Sequence, residues 1–201
     1  MHFEIVLATH NAHKLKEFRR ILAPHGIVLY GLSDLNIPPL DITENALTYF
    51  ENAKIKAMFL RKFTSLPILA DDSGLEIDAL KHLLRLHTSR YQVLIGEQKL
   101  ANQFITYCLR DIDDKKARFH CSLCFSLSEG DYREFDGVME GMIAQEPSGE
   151  NGFGYDPIFI PMNKKDTVAN LNEEEKDKIS HRYIASKKLL TFLKIKGLIR
   201  G

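Results

Sequence analysis

The fold class is decided by residues 2–22, HFEIVLATHNAHKLKEFRRIL. The first eight of these residues form a short apolar run, which is typical of a β-strand. In the second half, Leu15, Phe18, Ile21 and Leu22 recur at the spacing of one helix face, with charged residues between them. A strand that leads directly into an amphipathic helix is typical of α/β proteins, so this stretch predicts that class.

The rest of the chain continues the alternation of strands and helices. We predict further strands over 27–30, 67–70, 117–127, 132–143 and 155–160, and helices from Glu44 to about residue 60, over 97–113 and over 180–195. Crossover helices occur together with hairpin-like strand pairs, which predicts a mixed sheet. No linker is long enough to separate independent domains, so residues 1–201 are predicted to form a single domain.

Two of these helices are predicted from apolar stripes. The first stripe consists of Ala46, Phe50, Ala53, Ala57 and Leu60, and a different, exposed face is expected to carry Asn45, Tyr49, Asn52 and Lys56. The second stripe consists of Leu100, Phe104, Cys108 and Ile112. Both follow the periodicity of a helix that packs one face against a core.

Composition and charge narrow the class of function. With 27 basic and 27 acidic residues and 44% apolar residues, the chain has a globular composition and no net charge. A basic footprint is missing, which argues against a nucleic-acid polymer as partner but leaves room for a small anionic ligand. No apolar run approaches 18 residues and no signal peptide is recognisable, so no membrane association is expected. Three cysteines in a chain of this size indicate a reducing, cytoplasmic location.

Cys121 and Cys124 form a C-x-x-C pair that could bind a metal or act in redox chemistry. They lie in a segment where Phe119, Cys121, Leu123 and Phe125 alternate with more polar residues, which predicts a strand. Residues three apart on a strand point to opposite faces. We therefore expect two buried structural thiols and no zinc.

Two segments carry polar groups that could bind phosphates and a metal. Thr9 to Lys14 joins a strand to a helix, where free backbone N–H groups and Lys14 suit an anion, although the segment taken alone favours an ordinary helix cap at Asn11. Asp71-Asp72-Ser73-Gly74 follows a buried strand, and with Glu44 its carboxylates suit a hard cation. The alternative is an Asx-turn with solvated acids.

A third segment, residues 149–157, interleaves glycines with two aromatic residues. An aromatic ring on a glycine-flanked loop is a plausible stacking platform for a nucleobase, and the alternative is a tight turn with its aromatics in the core. Near the C-terminus, Ser180-His181-Arg182 offers hydrogen-bond donors at the start of a helix.

Together these segments resemble the inosine triphosphate pyrophosphatase family over nearly the whole chain. The matching blocks lie, in order, at 9–17, 44–48, 51–57, 70–75, 117–119, 147–159 and 176–185. The resemblance implies an elongated α/β fold of two lobes around a long curved mixed sheet, with a nucleotide cleft between the lobes, and a homodimer. The activity that it implies is magnesium-dependent hydrolysis of ITP, dITP and XTP to the monophosphate and pyrophosphate.

The resemblance also implies a role for each matching residue. Glu44 and Asp72 are expected to hold Mg²⁺, with Asp72 as the general base. Phe153 is expected to stack on the base, and Arg182 and His181 to donate to its 6-keto group. The full set of expected substrate-binding residues is Thr9, His10, Asn11, Lys14, Asn52, Lys56, Ser73, Phe153, Gly154, Tyr155, Asp156, Lys176, His181 and Arg182.

The chain departs from the family pattern in two places. Asn45-Ala46 replaces the Thr-Gly that usually follows the metal-binding glutamate, and Lys81–His87 replaces a loop containing glycine and proline, of which only Arg90-Tyr91 resembles the end. The second departure leaves open a nucleotide-binding protein with weakened catalysis. A related enzyme of the Maf type is a further alternative, against which the intact Ser180-His181-Arg182 block counts.

Overall fold

The computed structural model describes residues 2–38, 42–80 and 97–200. Within them the strands are β1 Phe3–Leu7, β2 Ile27–Tyr30, β3 Ile68–Ile77, β4 Lys116–Ser126, β5 Arg133–Ile143 and β6 Phe159–Pro161. The helices are α1 Ala12–Leu22, α2 Tyr49–Leu60, α3 Gln98–Leu109, α4 Glu173–Asp177 and α5 His181–Ile195. The altered segment Lys81–His87 and Arg90-Tyr91 lie outside the described residues.

The six strands form one mixed sheet in the order β2-β1-β3-β4-β5-β6. β1 pairs in parallel with β2 on one side and with β3 on the other, with Val6 opposite Ile68. β5 and β6 are antiparallel, with Met142 opposite Ile160. The predicted α/β class and mixed sheet are therefore confirmed.

α1 forms where the sequence predicts it. Asn11 caps the helix, because its side chain accepts hydrogen bonds from the backbone N–H groups of His13 and Lys14. Phe18, Ile21 and Leu22 turn inward and are buried. A short 3₁₀ turn over Ala23–His25 then ends at Gly26, whose φ of 74° is in the left-handed region that glycine adopts without strain.

The predicted start of α2 is wrong. The helix begins at Tyr49, five residues after Glu44, because the Thr48 side chain accepts a hydrogen bond from the Glu51 backbone N–H and caps the first turn. The exposed side is also wrong in part, since Tyr49 and Asn52 are buried. Asn52 is buried because its amide donates to the Asp72 carboxylate and accepts from the Ala46 backbone N–H.

A second correction concerns the two aspartates. The strand predicted over 67–70 continues to Ile77, so Asp71-Asp72-Ser73-Gly74 lies in the middle of β3 and forms no Asx-turn. Both carboxylates are buried there. The two charged side chains can be buried in a strand because Lys14 neutralises Asp71 and Lys56 neutralises Asp72.

The remaining predictions hold with changes at the ends. α3 is shorter than predicted, and its stripe residues Leu100 and Phe104 are exposed, whereas Ala101, Ile105 and Leu109 are buried. The strand predicted from Tyr155 begins at Phe159, because a 3₁₀ turn occupies Asp156–Ile158. α4, capped by Asn172, was not predicted.

The chain divides into two compact units. The first comprises residues 1–72, 121–137 and 182–201, and the second comprises 73–120 and 138–181. The first unit has two apolar clusters, one around Phe18, Leu123 and Leu189 and one around Ala53, Ala57 and Ile68. The second unit has its own cluster around Ile105, Phe119 and Phe159. That the units form one domain stays a prediction.

Cys121 and Cys124 are both buried on β4 and belong to the two different clusters of the first unit. The prediction of buried thiols on opposite strand faces is thus confirmed. Burial raises the pKa of Cys121 well above its ordinary value and raises the pKa of Cys124 to about 12, so both thiols stay protonated at neutral pH. Within the described ranges, no helix has the length and apolar character needed to cross a membrane.

Candidate active site

Asp71 is a buried carboxylate held by two cations. Its Oδ1 and Oδ2 each lie 3.1 Å from Lys14 Nζ, and Oδ2 lies 3.8 Å from Arg182 Nε. Burial on its own raises the pKa of Asp71, but Lys14, Arg182 and Lys56 outweigh it and bring that pKa down to about 2. Asp71 is therefore ionised at any pH near neutrality, and its charge balances the cations around it.

Arg182 is buried at the start of α5 and joins this group from the far end of the sequence. Its Nη1 donates to Glu17 Oε2 at 3.0 Å, and both side chains are at least 95% buried. Glu17 belongs to α1, so one ion pair connects the first and the last helix of this unit. Glu17 is part of the matching block 9–17 but received no predicted role, because nothing local to α1 indicates a partner 165 residues away.

Asp72 lies in a second polar group, formed with α2 and with the segment that precedes it. Its Oδ2 accepts a hydrogen bond from Asn52 Nδ2 at 3.1 Å, and its Oδ1 lies 3.4 Å from Lys56 Nζ. Lys56 Nζ also lies 2.9 Å from Glu44 Oε2 and 2.9 Å from the Asp71 carbonyl oxygen. One ammonium thus serves two carboxylates.

The pKa of Asp72 is shifted in the opposite direction to that of Asp71. Burial raises the pKa of Asp72, and the neighbouring Glu44 and Asp71 raise it further, while Lys56 and Lys14 counteract only in part. The pKa of Lys56 is also raised, because Asp72, Asp71 and Glu44 outweigh the effect of its burial. Asp72 is the more basic of the two adjacent carboxylates, which suits a proton acceptor.

Glu44 and Asp72 together fit a magnesium ion. Their oxygens converge on the Lys56 ammonium, so a cation already occupies the space between them. Mg²⁺ is commonly held by one or two carboxylates plus substrate phosphates and water. Across the described part of the chain, no group of three or more His, Cys, Asp and Glu side chains is placed to hold a metal. Magnesium binding by Glu44 and Asp72 therefore stays a prediction.

The Asn45-Ala46 departure lies directly beside this group. The backbone N–H of Ala46 donates to Asn52 Oδ1 at 3.0 Å, and the other end of the same amide donates to Asp72. This contact uses the main chain of Ala46, so it does not depend on the side chain at that position. Asn52 therefore fixes the segment carrying Glu44 next to Asp72.

At the strand–helix junction, Asn11 has the role of a helix cap that the simpler interpretation predicts. Thr9 Oγ1 accepts from the Asn11 backbone N–H at 3.2 Å, which shapes the turn before the helix. Lys14 projects from the first turn of α1 to Asp71. A chain of hydrogen bonds thus runs from Thr9 through Asn11 and Lys14 to Asp71. The phosphate-binding role of Thr9, His10, Asn11 and Lys14 stays a prediction.

The second unit carries the predicted base platform, which we call the glycine loop, residues 149–156. Gly149 and Gly152 have φ values of 85° and 77°, and a Cβ at either position would collide, with the Ala169 backbone and with the Asp156 carboxylate respectively. Asp156 Oδ2 accepts from the Phe153 backbone N–H at 2.8 Å. The loop is therefore folded around the Asp156 side chain.

Lys176 completes this arrangement. Its Nζ lies 2.6 Å from Asp156 Oδ2 and 4.6 Å from the centre of the Phe153 ring, and it is buried. The structure thus brings together Phe153, Asp156 and Lys176, as the resemblance implies. Tyr155 packs in the apolar cluster of the unit. His181 stacks on Phe119 with ring centres 4.9 Å apart and planes 12° apart.

The predicted residues consequently fall into separate groups. Lys14, Asp71 and Arg182 form one, Glu44, Asn52, Lys56 and Asp72 form a second, and Phe153, Asp156 and Lys176 form a third. Arg182 contacts Glu17 and Asp71, and its predicted role at the base stays a prediction. Ser73 is half-buried in β3. Glu17 contacts Arg182 and Asn102 contacts Gly154, but neither was predicted as a site residue, because each pairs across a long sequence distance.

These features define a mixed α/β protein in which a buried strand carries two adjacent carboxylates. The pKa of the first, Asp71, is lowered and the pKa of the second, Asp72, is raised. The Ham1 family model matches residues 5–192. The chain belongs to the Ham1 family.

Relatives from bacteria share both sequence and structure with the chain. It is 41% identical over 195 residues to the dITP/XTP pyrophosphatase of Bacillus subtilis (strain 168), covering 94% of this chain and 96% of that protein. A solved HAM1 protein from Coxiella burnetii superposes with a TM-score of 0.84 at 40% identity, covering 96% and 98% of the two chains. The Staphylococcus aureus Ham1 protein gives a TM-score of 0.83 at 35% identity, with coverage of 96% and 99%.

Proposed function

We propose that this protein hydrolyses dITP, XTP and ITP, which are non-standard purine nucleoside triphosphates, to the monophosphate and pyrophosphate. The observation that carries the proposal is the convergence of Glu44 and Asp72 on the Lys56 ammonium, next to the Asp71–Lys14 pair. Family membership and the names of relatives such as the Bacillus subtilis dITP/XTP pyrophosphatase support it.

The chemistry is the attack of water on the α-phosphorus, with pyrophosphate leaving. Asp72 accepts a proton from the attacking water at its carboxylate, for which its raised pKa suits it. Lys14 and Lys56 spread the negative charge of the phosphates. Lys14 belongs to the N-terminal turn of α1, where its charge adds to the partial positive charge of the helix end.

Magnesium is part of this proposal. Glu44 and Asp72 are the residues that would hold it, and the ion supplies charge neutralisation on the phosphates and orients the leaving group. Asn52 keeps the two carboxylates in place through its hydrogen bonds to Asp72 and to the Ala46 backbone.

Selectivity is proposed to depend on the purine 6-position. Hypoxanthine and xanthine present a keto oxygen there, which accepts hydrogen bonds, whereas adenine presents an amine. A donor left without its acceptor costs about 1–3 kcal/mol, so roughly tenfold to a hundredfold discrimination per contact is attainable. The donors that the family resemblance suggests are Lys176, His181 and Arg182.

One assay tests the function directly. The protein is incubated with XTP, dITP, ITP, GTP and ATP, with and without magnesium, and both pyrophosphate and phosphate are measured. We expect pyrophosphate release that depends on magnesium and is fastest for the first three substrates. Phosphate as the product would indicate a phosphatase, binding without turnover would indicate a nucleotide-binding protein, and a preference for other triphosphates would indicate an enzyme of the Maf type.

The proposal also includes a homodimer, which the family resemblance implies, and a cytoplasmic site of action, which the three cysteines indicate. Light scattering coupled to size exclusion measures the first. A mass equal to two chains at micromolar concentration is the expected result, and a mass equal to one chain would contradict it.

A further inference from the structure

α3 lies beside the glycine loop in the second unit. A cavity of about 1130 Å³ is lined by one side of α3, including Gln98, Asn102 and Thr106, and by the loop, including Gly149, Phe153 and Gly154. Most of the α3 residues that are fully buried are apolar or small, but Asn102 is an amide with only 3% of its surface exposed. A buried amide needs hydrogen-bond partners to offset the loss of water.

Both ends of the Asn102 amide have such partners. Its Nδ2 donates to the Gly154 carbonyl oxygen at 3.1 Å, and its Oδ1 accepts from Gln98 Nε2 at 3.0 Å, one helical turn away. Because Gln98 occupies the oxygen, the NH₂ group is directed at the loop. The Asn102 side chain on α3 therefore holds the main chain of the glycine loop at Gly154, 52 residues further along the sequence.

The consequence concerns Phe153, the residue before Gly154. The Phe153 N–H is fixed by Asp156 at 2.8 Å, and the carbonyl of the next residue is fixed by Asn102. Gly154 has a φ of 65°, a conformation that is open to glycine and leaves the peptide without a side chain to anchor it. The two hydrogen bonds thus hold the backbone on both sides of the Phe153 side chain.

We propose that Asn102 is a positioning residue for the base-binding loop: through Gly154 it sets the place of the Phe153 ring on which the purine stacks. Asn102 acts through the main chain of the loop. The inference rests on the proposed function for the identity of the substrate. Small errors in the placement of a binding group weaken binding strongly, so the effect is measurable.

The decisive variant is Asn102→Asp. It keeps the shape of the side chain and the acceptor for Gln98, but it turns the donor that faces the Gly154 carbonyl into an acceptor. We expect KM for XTP and dITP to rise about tenfold with kcat changed less than about twofold, which is the pattern of lost ground-state binding. An unchanged KM would overturn the proposal.

Thr106→Val is the matched control. Thr106 is buried on the same helix one turn further on and lines the same cavity, but its hydroxyl donates within its own helix, to the Gln103 carbonyl at 3.0 Å. We expect its KM to stay within about twofold of the wild-type value. If Asn102→Asp does not fold, Gln98→Met removes only the donor that orients the amide and is expected to raise KM in the same direction by a smaller factor.

Two further measurements separate positioning from general damage. Inorganic tripolyphosphate has no base, so its inhibition constant is expected to be the same in wild type and Asn102→Asp, and an equal loss for tripolyphosphate and XTP would overturn the proposal. The chain has no tryptophan, so Phe153→Trp creates a single tryptophan at the stacking position, which is excited at wavelengths where the seven tyrosines do not absorb. Its emission and its quenching by XTP are expected to change when Asn102→Asp is added.

The fluorescence measurement needs no turnover. If wild-type protein releases no pyrophosphate, the proposed function fails, and the emission of the Phe153→Trp protein still reports whether Asn102 sets the position of residue 153. Identical emission spectra with Asn102 and with Asp at position 102 would refute positioning regardless of activity.

Discussion

Asp71 and Asp72 are consecutive residues of β3, yet their carboxylates belong to different ion pairs, Asp71 with Lys14 at 3.1 Å and Asp72 with Lys56 at 3.4 Å. Alternation along a strand directs the two side chains to opposite faces, where one meets α1 and the other meets α2. The two carboxylates therefore differ in how far their charges are compensated. Asp71 is fully compensated by cations, whereas Asp72 shares one ammonium with Glu44.

This relationship predicts opposite stability effects for the same substitution at neighbouring positions. Asp71→Asn removes a carboxylate that Lys14 and Arg182 stabilise, so we expect a loss of about 1–3 kcal/mol in the free energy of unfolding. Asp72→Asn removes a charge that its surroundings disfavour, so a change of less than about 1 kcal/mol, or a gain, is expected. Urea unfolding at pH 7 with EDTA measures both. Equal losses would contradict the assignment.

The stability contributed by Asp71 is also expected to depend on pH in one direction. Its pKa of about 2 in the folded protein is below the ordinary value of about 4, so the stabilisation is complete above that ordinary value and disappears as the pH falls towards 2. The gap in unfolding free energy between wild type and Asp71→Asn should therefore be constant from pH 7 to 5 and shrink from pH 4 to 3. A gap that grows on acidification would show that Asp71 is not the stabilised anion.

Glu44→Gln tests the proposed metal site. The substitution keeps the size of the side chain and removes one of the two carboxylates at Lys56, so we expect the magnesium concentration for half-maximal activity to rise at least about fivefold. Glu129→Gln, at an exposed glutamate in the turn after β4, is the control and should leave the titration unchanged. Coinciding magnesium titrations for wild type and Glu44→Gln would remove Glu44 from the site.

Glu17 and Arg182 are expected to be energetically coupled. Removing one partner of a buried ion pair leaves the other charge uncompensated, which costs about 3–5 kcal/mol, so Arg182→Met should destabilise the protein strongly. Adding Glu17→Gln should recover part of that loss. A double-mutant cycle of unfolding free energies measures the coupling, and additive effects within about 0.5 kcal/mol would indicate that the pair contributes nothing.

Substitution of Arg182 is also expected to change substrate selectivity. If Arg182 reads the purine 6-keto group, Arg182 variants that fold should lose more kcat/KM for ITP than for ATP. Arg182 also neutralises Glu17 and Asp71, so the unfolding transition of each variant is measured together with its kinetics.

The local elements could be predicted from the sequence wherever one periodicity dominates. The apolar run before Thr9 and the helical spacing from Leu15 to Leu22 predict β1 and α1, and both occur. α2 shows the limit of this approach, because the stripe extends back to Ala46 whereas the Thr48 cap starts the helix later. On α3 the apolar periodicity of Leu100 and Phe104 predicted a helix correctly, but the face that it predicted to be buried is exposed.

The site shows the same limit more clearly. Asp71 and Asp72 look like a turn when only their neighbours in sequence are considered, since paired acids followed by serine and glycine are usual in turns. They form a strand because Lys14 and Lys56, 57 and 16 residues away, supply the compensating charges. Contacts over such distances, including that of Asn102 with Gly154, have no signature in a single sequence.

The measurement that tests the central claim most directly is pyrophosphate release from XTP by Asp72→Asn at saturating magnesium, with the fold verified by its unfolding transition. We expect a stable protein whose kcat is at least about a hundredfold below wild type, because the substitution removes the general base and one metal charge while keeping the hydrogen bond from Asn52. An Asp72→Asn protein that retains a third of the wild-type kcat would contradict it.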